Sequence, residues 1–327
     1  MPARDPFRLD RRSLLRAATA FAALAAALPV PSRRARAEAS RSAAPFAVEI
    51  APGVHVHAGQ IAEYAPDNEG DVSNAGFIVG KEAVAVIDTG GSAHVGARLR
   101  AAVRSVTPLP IRYVINTHMH PDHVFGNAAF EQDKPHFVAH HKLARGLSAR
   151  ADRYLSVNKE AIGEAAFAGT RVVLPTLAVT DPLTLDLGGR QLQLTAQKTA
   201  HTDNDLVIRD DETGTLFLGD LLFSQHAPSL DGSILGWISV LDALTKMPAQ
   251  RVVPGHGPAS MAWPDAAKPL RHYLEVLTTE IRALIKDNRT LSDATATVGL
   301  SEKDAWKLFA DYHARNVSAA FAELEWE

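Results

Sequence analysis

Three histidines and one aspartate lie within six consecutive positions, residues 118–123, which read HMHPDH. His118 and His120 follow an apolar run predicted as a strand, and their spacing of two places both side chains on the same face. The proline that follows turns the chain, so that Asp122 and His123 point elsewhere from the same loop. This spacing suits two imidazoles on one metal ion, and a carboxylate with an imidazole on a second ion nearby.

Three more potential ligands lie where predicted strands end. His201 follows one strand, Asp220 ends the segment LFLGD, and His256 lies in VVPGHG, where flanking glycines let the backbone approach a site closely. The chain has no cysteine, and ligands of nitrogen and oxygen alone favour zinc, or less often manganese or iron. Together these residues predict a dinuclear metal site.

The elements that must position these residues alternate loosely along the chain. Short runs rich in Val, Ile and Phe and bounded by Gly, Pro or Asn predict strands, and longer amphipathic stretches predict helices. Two sets of strands, each with helices, predict two sheets packed face to face with helices outside. Predicted strands cover 46–51, 54–58, 75–79, 83–88, 112–116, 136–139, 176–180, 183–187, 191–197, 205–209, 215–218 and 251–253; predicted helices cover 92–105, 142–167, 239–246, 266–286, 302–314 and 317–324.

The histidines and aspartates in this order resemble those of the metallo-β-lactamase superfamily of hydrolases, over about residues 46–260. The resemblance implies an α/β fold, a four-layered αβ/βα sandwich with the metal site in the cleft between the two sheets. It also implies two zinc ions per chain, with Asp220 bridging them. By this pattern one ion is held by His118, His120 and His201, and the other by Asp122, His123 and His256.

Asp88, in the segment VIDTG, matches the family's buried aspartate, which supports the ligand loop without binding metal. Asp122 is the candidate catalytic residue, expected to orient a metal-bound hydroxide and accept its proton. The expected substrate is a small ester, lactone, thioester or amide. The commonest zinc β-lactamases have a cysteine where this chain has Asp220, so the site is more similar to the glyoxalase II, ribonuclease Z and lactonase branches. His226 is a further candidate for substrate contact.

Four segments resemble more specifically the quinoprotein relay system zinc metallohydrolases, a periplasmic group associated with pyrroloquinoline-quinone dehydrogenases. The resemblance implies a quinoprotein dehydrogenase or its cytochrome as a partner. The segments are GFIVG at 76–80, NTHMHPDHVFGN at 116–127, AHTDNDL at 200–206 and ELEWE at 323–327.

The first 37 residues are typical of an export signal. Arg11 and Arg12 precede a short apolar run, Ala17 to Val30, and a small-x-small cleavage site ends at Ala37. The paired arginines predict the twin-arginine route to the periplasm. The apolar run is shorter than the ~20 residues of a spanning helix, so no stable membrane anchor is expected after cleavage. The predicted organisation is a signal at 1–37, a linker at 38–45, the hydrolase domain at 46–260 and a packed helical extension at 261–327.

Loss of residues 1–37 changes the net charge from −3 to −9. A chain this acidic is a poor candidate for binding nucleic acid. Two alternatives to the small-molecule hydrolase stay open at this point. One is a β-lactamase, and the other is a metal-binding accessory protein of a quinoprotein dehydrogenase that hydrolyses nothing.

Overall fold

Two β-sheets pack face to face in the computed structural model, which describes residues 45–327. The first sheet has seven strands in the order β1-β2-β3-β4-β5-β6-β7, and the second has five in the order β12-β11-β10-β9-β8. The strands are β1 (Val48–Ala51), β2 (Val54–His57), β3 (Ala75–Val79), β4 (Val84–Ile87), β5 (Ile111–Ile115), β6 (His136–His140), β7 (Leu177–Val179), β8 (Leu183–Asp186), β9 (Gln191–Ala196), β10 (Leu206–Asp210), β11 (Thr215–Phe223) and β12 (Arg251–His256).

Helices cover the outer faces of both sheets. They are α1 (Ala93–Val106), α2 (Pro121–Val124), α3 (Leu143–Ile162), α4 (Ile234–Leu244), α5 (Lys268–Lys286), α6 (Leu291–Thr297) and α7 (Phe309–Leu324), with 3-10 turns at Phe125–Asp133, Asp265–Ala267 and Leu300–Glu302. Within residues 45–327, none of the helices has both the length and the apolar character needed to cross a membrane.

Three buried clusters define the layers. Leu99 of α1 packs against the outer face of the first sheet, at Phe77 and its neighbours. Ile87 of the first sheet and Ile208 of the second belong to the cluster between the sheets. Residues of β11 pack with α4, α5 and α7 on the far side of the second sheet. The order helix, sheet, sheet, helix confirms the predicted αβ/βα sandwich, because each apolar face is buried against the next layer.

The strand ends that carry the candidate ligands meet at one edge of the two sheets. Strands β4, β5, β6 and β7 run parallel in the first sheet, as do β11 and β12 in the second. The loop after β5 is tied to the second sheet, because the amide of Leu206 donates to the carbonyl of Thr117 over 2.7 Å. Asn74 makes a similar tie by donating its side-chain amide to the carbonyl of Pro254 over 2.9 Å.

The C-terminal helices differ from the sequence prediction. Helices were expected at Glu302–Ala314 and Val317–Leu324, but a single helix, α7, covers Phe309–Leu324. Its buried residues include Val317 and Phe321, and neither residue between the two predicted segments breaks a helix. The unpredicted helix α6 begins at a capping box, in which Thr290 and Asp293 each accept a backbone N–H of the other.

Two elements near the site also begin or end elsewhere than predicted. Helix α4 begins at Ile234 instead of Ser239, because Ser233 caps it by accepting the amide of Gly236 over 2.9 Å. Strand β11 was expected to end at Leu218 but continues to Phe223. Asp220 is therefore inside a strand, and its side chain is buried.

Candidate metal centre

The ligand loop joins a strand to a short helix. Strand β5 ends at Ile115, and the loop that follows carries His118 and His120. Proline at position 121 opens helix α2, where its fixed φ and missing N–H are tolerated. Asp122 and His123 lie on this helix, so they face a different part of the site from the first two histidines. Exposure of His118 is 1% and that of His123 is 0%.

The other three predicted ligands come from the second sheet and its loops. His201 lies between β9 and β10, Asp220 lies within β11, and His256 ends β12. All three are buried. Gly255 lets β12 approach β11 at this point, because a Cβ at that position would collide with the carboxylate of Asp220.

The structure brings all seven predicted ligands together as two adjacent groups. The first group is His118, His120, His201 and Asp220, and the second group is Asp122, His123 and His256. Within each group, one potential ligand atom per residue lies within 4.8 Å of the others. Either group could therefore hold a metal ion.

Asp220 lies between the two groups, with one carboxylate oxygen toward each. Its Oδ2 is 3.6 Å from Nε2 of His118 and 3.4 Å from Nε2 of His201. Its Oδ1 is 3.1 Å from Nε2 of His123 and 3.4 Å from Nε2 of His256. This is the placement that a carboxylate shared by two metal ions requires.

Hydrogen bonds on the far side of each ring fix which nitrogen faces the centre. His118 donates from Nδ1 to Oγ1 of Thr117 over 3.0 Å, and His201 donates from Nδ1 to the carbonyl of Ser229 over 2.6 Å. His256 donates from Nδ1 to the carbonyl of Val72 over 2.9 Å. Each bond leaves Nε2 directed at the centre, the nitrogen that would bind a metal ion.

Asp88 supports the ligand loop from behind. Its carboxylate accepts three hydrogen bonds: from Nδ1 of His123 over 2.9 Å, from the amide of Thr117 over 2.8 Å and from the hydroxyl of Thr117 over 2.7 Å. Asp88 has a φ of 53°, in the left-handed region that aspartate tolerates better than most residues. These contacts orient His123 and hold the start of the loop.

His120 is turned the opposite way, and the residue responsible was not predicted. Its Nδ1 lies 3.1 Å from Nε2 of His118 and 3.0 Å from Nε2 of His201, while its Nε2 contacts Oδ2 of Asp231 over 3.1 Å. Asp231 is also bound by Arg150 over 2.6 Å. In the sequence Asp231 precedes a glycine in a polar loop, a pattern typical of a turn, so no signal distinguished it.

The two groups differ in protonation. Burial lowers the pKa of His118 well below its ordinary value and that of His201 to about 3. Burial also acts to lower the pKa of His256, but Asp220 and Asp122 outweigh it and raise that pKa to about 9. The pKa of His123 is raised in the same way, mainly by Asp220 against the effect of burial. His118 and His201 of the first group thus present neutral rings, whereas His123 and His256 of the second group hold protons that a cation would replace.

The donor set fits divalent metal ions. Nε2 of His123 and Oδ1 of Asp220 are buried without a hydrogen-bond partner among the described residues, although they lie only 3.1 Å apart. Buried polar atoms of this kind are rare unless an ion or water satisfies them. The ligand atoms are imidazole nitrogens and carboxylate oxygens, which suit zinc, manganese or iron.

A cavity of about 410 Å³ opens on both groups. His120, Asp122, Asp220 and His256 form part of its wall. His226 also lines it, with its ring 4.7 Å from that of His256 and its Nδ1 donating to the carbonyl of Ala227 over 2.5 Å. The volume is in the range of sites for small molecules.

The fold and the paired groups define a class of α/β sandwich proteins with a potential metal site between the sheets, and comparison with known families identifies the superfamily. Residues 68–256 match the model of the metallo-beta-lactamase superfamily, so the chain belongs to that superfamily, whose members are generally hydrolases. The matched region contains all seven candidate ligands.

Individual relatives are distant. The acyl-coenzyme A thioesterase MBLAC2 of Bos taurus is 26% identical to this chain over 216 residues, which cover 57% of the chain and 74% of the relative. A solved metallo-beta-lactamase from Pontibacter korlensis has a TM-score of 0.56 at 21% identity and covers 70% of this chain and 98% of its own. The metallo-beta-lactamase FIM-1 from Pseudomonas aeruginosa has a TM-score of 0.53 at 21% identity, over 70% of this chain and 94% of its own. These structures support the fold.

Proposed function

We propose that the chain is a binuclear zinc hydrolase that cleaves a small ester, lactone, thioester or amide. The observation that carries this proposal is the position of Asp220, with one oxygen toward each group at the wall of the cavity. A thioester receives additional support from the relative named as an acyl-coenzyme A thioesterase. In this proposal His118, His120 and His201 hold one ion, Asp122, His123 and His256 hold the other, and Asp220 touches both.

Two divalent ions, when bound, supply Lewis-acid activation of water and of the substrate carbonyl. The chain supplies the remaining chemistry. Asp122 lies against Nε2 of His256 at 3.2 Å, and its backbone carbonyl accepts the hydroxyl of Ser73 over 2.6 Å. Although burial acts to raise the pKa of Asp122, His123 and His256 hold it well below the ordinary value. Asp122 therefore stays ionised and can orient the attacking water by accepting its hydrogen, and then its proton.

Two tyrosines of the cavity wall are suited to bind the substrate oxygen. Burial and the nearby carboxylates raise the pKa of Tyr64 and of Tyr312 above the ordinary value, so both hydroxyls stay protonated. A protonated hydroxyl can donate to a carbonyl oxygen and strengthen that bond as charge develops on it. Both tyrosines line the same cavity as Asp122, whose carboxylate is among the groups that raise their pKa.

The direct test is metal analysis followed by a substrate panel. Protein purified after growth with zinc should contain about two metal ions per chain. Chelation should abolish hydrolysis of esters, lactones and thioesters, and added zinc should restore it. His118→Ala should lose the metal ion of the first group and activity together, whereas His272→Ala, on an exposed face of α5, should lose neither. Fewer than one metal ion per chain in the wild-type protein would contradict the proposal.

We also propose that the reaction takes place in the periplasm and serves a quinoprotein dehydrogenase or its cytochrome. The support is the pattern of residues 1–37, which lie outside the described residues, and the four segments named above. Cell fractionation tests the location: the wild-type chain should be periplasmic, and replacement of Arg11 and Arg12 by lysine should retain it in the cytoplasm. Co-purification with a quinoprotein dehydrogenase would test the partner.

A further inference from the structure

Positively charged side chains line the cavity that adjoins the metal centre. Three arginines line it: Arg150 and Arg153 from α3, and Arg315 from α7. Arg150 is bound to Asp231 over 2.6 Å, so its charge is already balanced. Neither Arg153 nor Arg315 has a carboxylate within ion-pair distance among residues 45–327.

The carboxylates of the same wall are mostly occupied elsewhere. Asp122 and Asp220 face the histidines of the two groups, and Asp231 lies between His120 and Arg150. Glu63 remains, close enough to Tyr312 that it contributes, after burial, to raising the pKa of that hydroxyl. Arg153 and Arg315, which have no ion pair within the described part of the chain, thus line the cavity together with one carboxylate, Glu63, that faces neither an arginine ion pair nor a histidine of the two groups.

The arginines come from separate elements. Arg153 belongs to the helix between β6 and β7, and Arg315 belongs to the last helix, outside the region that matches the superfamily model. Their convergence on one cavity is therefore a property of the folded chain. Guanidinium groups bind carboxylate and phosphate oxygens through paired N–H donors, which makes such a pair suited to an oxyanion.

We propose that the cavity selects substrates with a second, anionic group, a carboxylate or a phosphate, which Arg153 and Arg315 bind while the scissile carbonyl lies at the metal centre. This inference rests on the proposed hydrolase function and specifies its substrate class. The alternative is that both side chains only cover apolar wall residues such as Val157 and Leu230 with their aliphatic stems. The two cases differ in whether the charge of the substrate matters.

A matched pair of esters separates them. The para-nitrophenyl monoester of glutarate carries a free carboxylate, and para-nitrophenyl pentanoate is a neutral ester of similar size. With metal-loaded protein, Arg153→Gln and Arg315→Gln should each lower kcat/KM for the anionic ester by about tenfold, because each removes a charged donor. The neutral ester should change less than about twofold, since it makes no charged contact.

Two control variants separate the role of the cavity arginines from general effects of charge and position. Arg145→Gln removes an arginine from the same helix α3 whose side chain is 86% exposed and outside the cavity wall, and it should leave both esters unchanged. Arg153→Lys keeps the charge and should restore part of the anionic preference. Metal content and Tm, measured for every variant, identify those that fail through folding.

Binding provides a readout that does not depend on turnover. Calorimetry with glutarate, and separately with propyl phosphate, should give a Kd for each compound with wild-type protein. The same titrations are made with the double variant, which combines Arg153→Gln with Arg315→Gln. The compound that loses more affinity in the double variant identifies the preferred oxyanion. If the double variant binds both probes as tightly as wild type, or keeps the same ratio of kcat/KM for the two esters, the inference is overturned and the hydrolase proposal stands. If neither ester is cleaved but probe binding needs the arginines, the anion site stands and the hydrolase proposal falls.

Discussion

The two halves of the metal centre are supported by different parts of the chain. The second group is supported by the first sheet and the loops beside it. Asp88 accepts a hydrogen bond from His123, and the carbonyl of Val72 accepts one from His256. The first group is supported by the loop between β11 and α4, where the carbonyl of Ser229 accepts a hydrogen bond from His201 and the carboxylate of Asp231 contacts His120.

That loop is itself held by the last helix. Asn316 of α7 donates to the carbonyl of Pro228 over 2.6 Å and accepts the amide of Leu230 over 2.9 Å. Glu323 accepts the amide of Ile234 over 2.7 Å. The supports of the second group lie within the region that matches the superfamily model, whereas α7 lies outside it. Orientation of the first group should therefore depend on a segment outside the region that matches the superfamily model.

The largest effect is expected where the two groups meet. Asp220→Asn keeps the shape of the side chain but removes the charge that faces four histidines, so both groups should lose affinity for metal. Activity should fall by about a thousandfold or more, since metal ions supply much of the rate enhancement. Metal content per chain and kcat/KM measure this. Asp304→Asn, an exposed carboxylate on the surface, is the control. Retention of two metal ions by Asp220→Asn would show that the groups do not share this residue.

The pH dependence of metal binding should distinguish the groups. A metal ion needs an unprotonated ring, and the pKa of His256 is about 9 while that of His201 is about 3. Because protons must leave both His123 and His256, the affinity of the second group should rise by at least about tenfold per pH unit toward pH 9. The neutral ring of His201 gives the first group no such proton to lose.

Cobalt titrations at several pH values can follow each group alone. His118→Ala leaves the second group intact, and His256→Ala leaves the first group intact. Proton release on metal addition, measured in weak buffer at neutral pH, gives a second reading. Equal pH slopes for the two variants would contradict the difference in protonation.

Asp88→Asn should weaken the second group more than the first. The variant replaces one acceptor oxygen by a donor, and replacement of Oδ2 removes the acceptor that His123 shares with the hydroxyl of Thr117, while Oδ1 still accepts the amide of Thr117. Loss of a carboxylate behind a ligating histidine typically costs about 10–100-fold in metal affinity or activity. Stepwise chelation should therefore release one metal ion early and the other late. Asp203→Asn, a carboxylate near the centre that contacts none of the ligand rings, should leave both steps unchanged.

Asp231→Asn is the corresponding change for the first group and should have a smaller effect. The side chain of Asp231 is 36% exposed, so water can replace part of its contact with His120. We expect a loss of about tenfold in the affinity of the first group, at the low end for residues of this kind. Cobalt absorption in the His256→Ala background measures that group alone, and an unchanged affinity would mean that His120 is oriented by its other neighbours.

Most of the layer architecture and the identity of the clustered residues were accessible from the sequence. The buried strands are short apolar runs with clear boundaries, and HMHPDH lies directly after one of them, so its place at a sheet edge followed from chain geometry. His201, Asp220 and His256 were found because each lies at or near a strand end. Their convergence needed only that the strands pack in two sheets.

The supports were harder to find because they depend on long-range contacts. Asp231 lies 111 residues from His120, and Asn316 lies 88 residues from the carbonyl that it binds. Each lies in a local sequence with an ordinary structural explanation, a turn in one case and a helix in the other. Arg153 and Arg315 share this property: only packing of α3 and α7 around one cavity brings them together.

The smallest expected effect tests whether α7 influences the metal affinity of the first group through the loop between β11 and α4. Asn316→Ala should cost about 1–3 kcal/mol in the free energy of unfolding, because it leaves the amide of Leu230 and the carbonyl of Pro228 without partners. Loosening that loop should also lower the metal affinity of the first group by about threefold, with the second group unchanged, because Ser229 and Asp231 lie in the loop. Thr278→Ala removes another buried hydrogen bond, to the carbonyl of Leu274 within α5, and should cost stability without changing either affinity. Equal losses of affinity in both groups, or the same effect from Thr278→Ala, would show that α7 contributes only general stability.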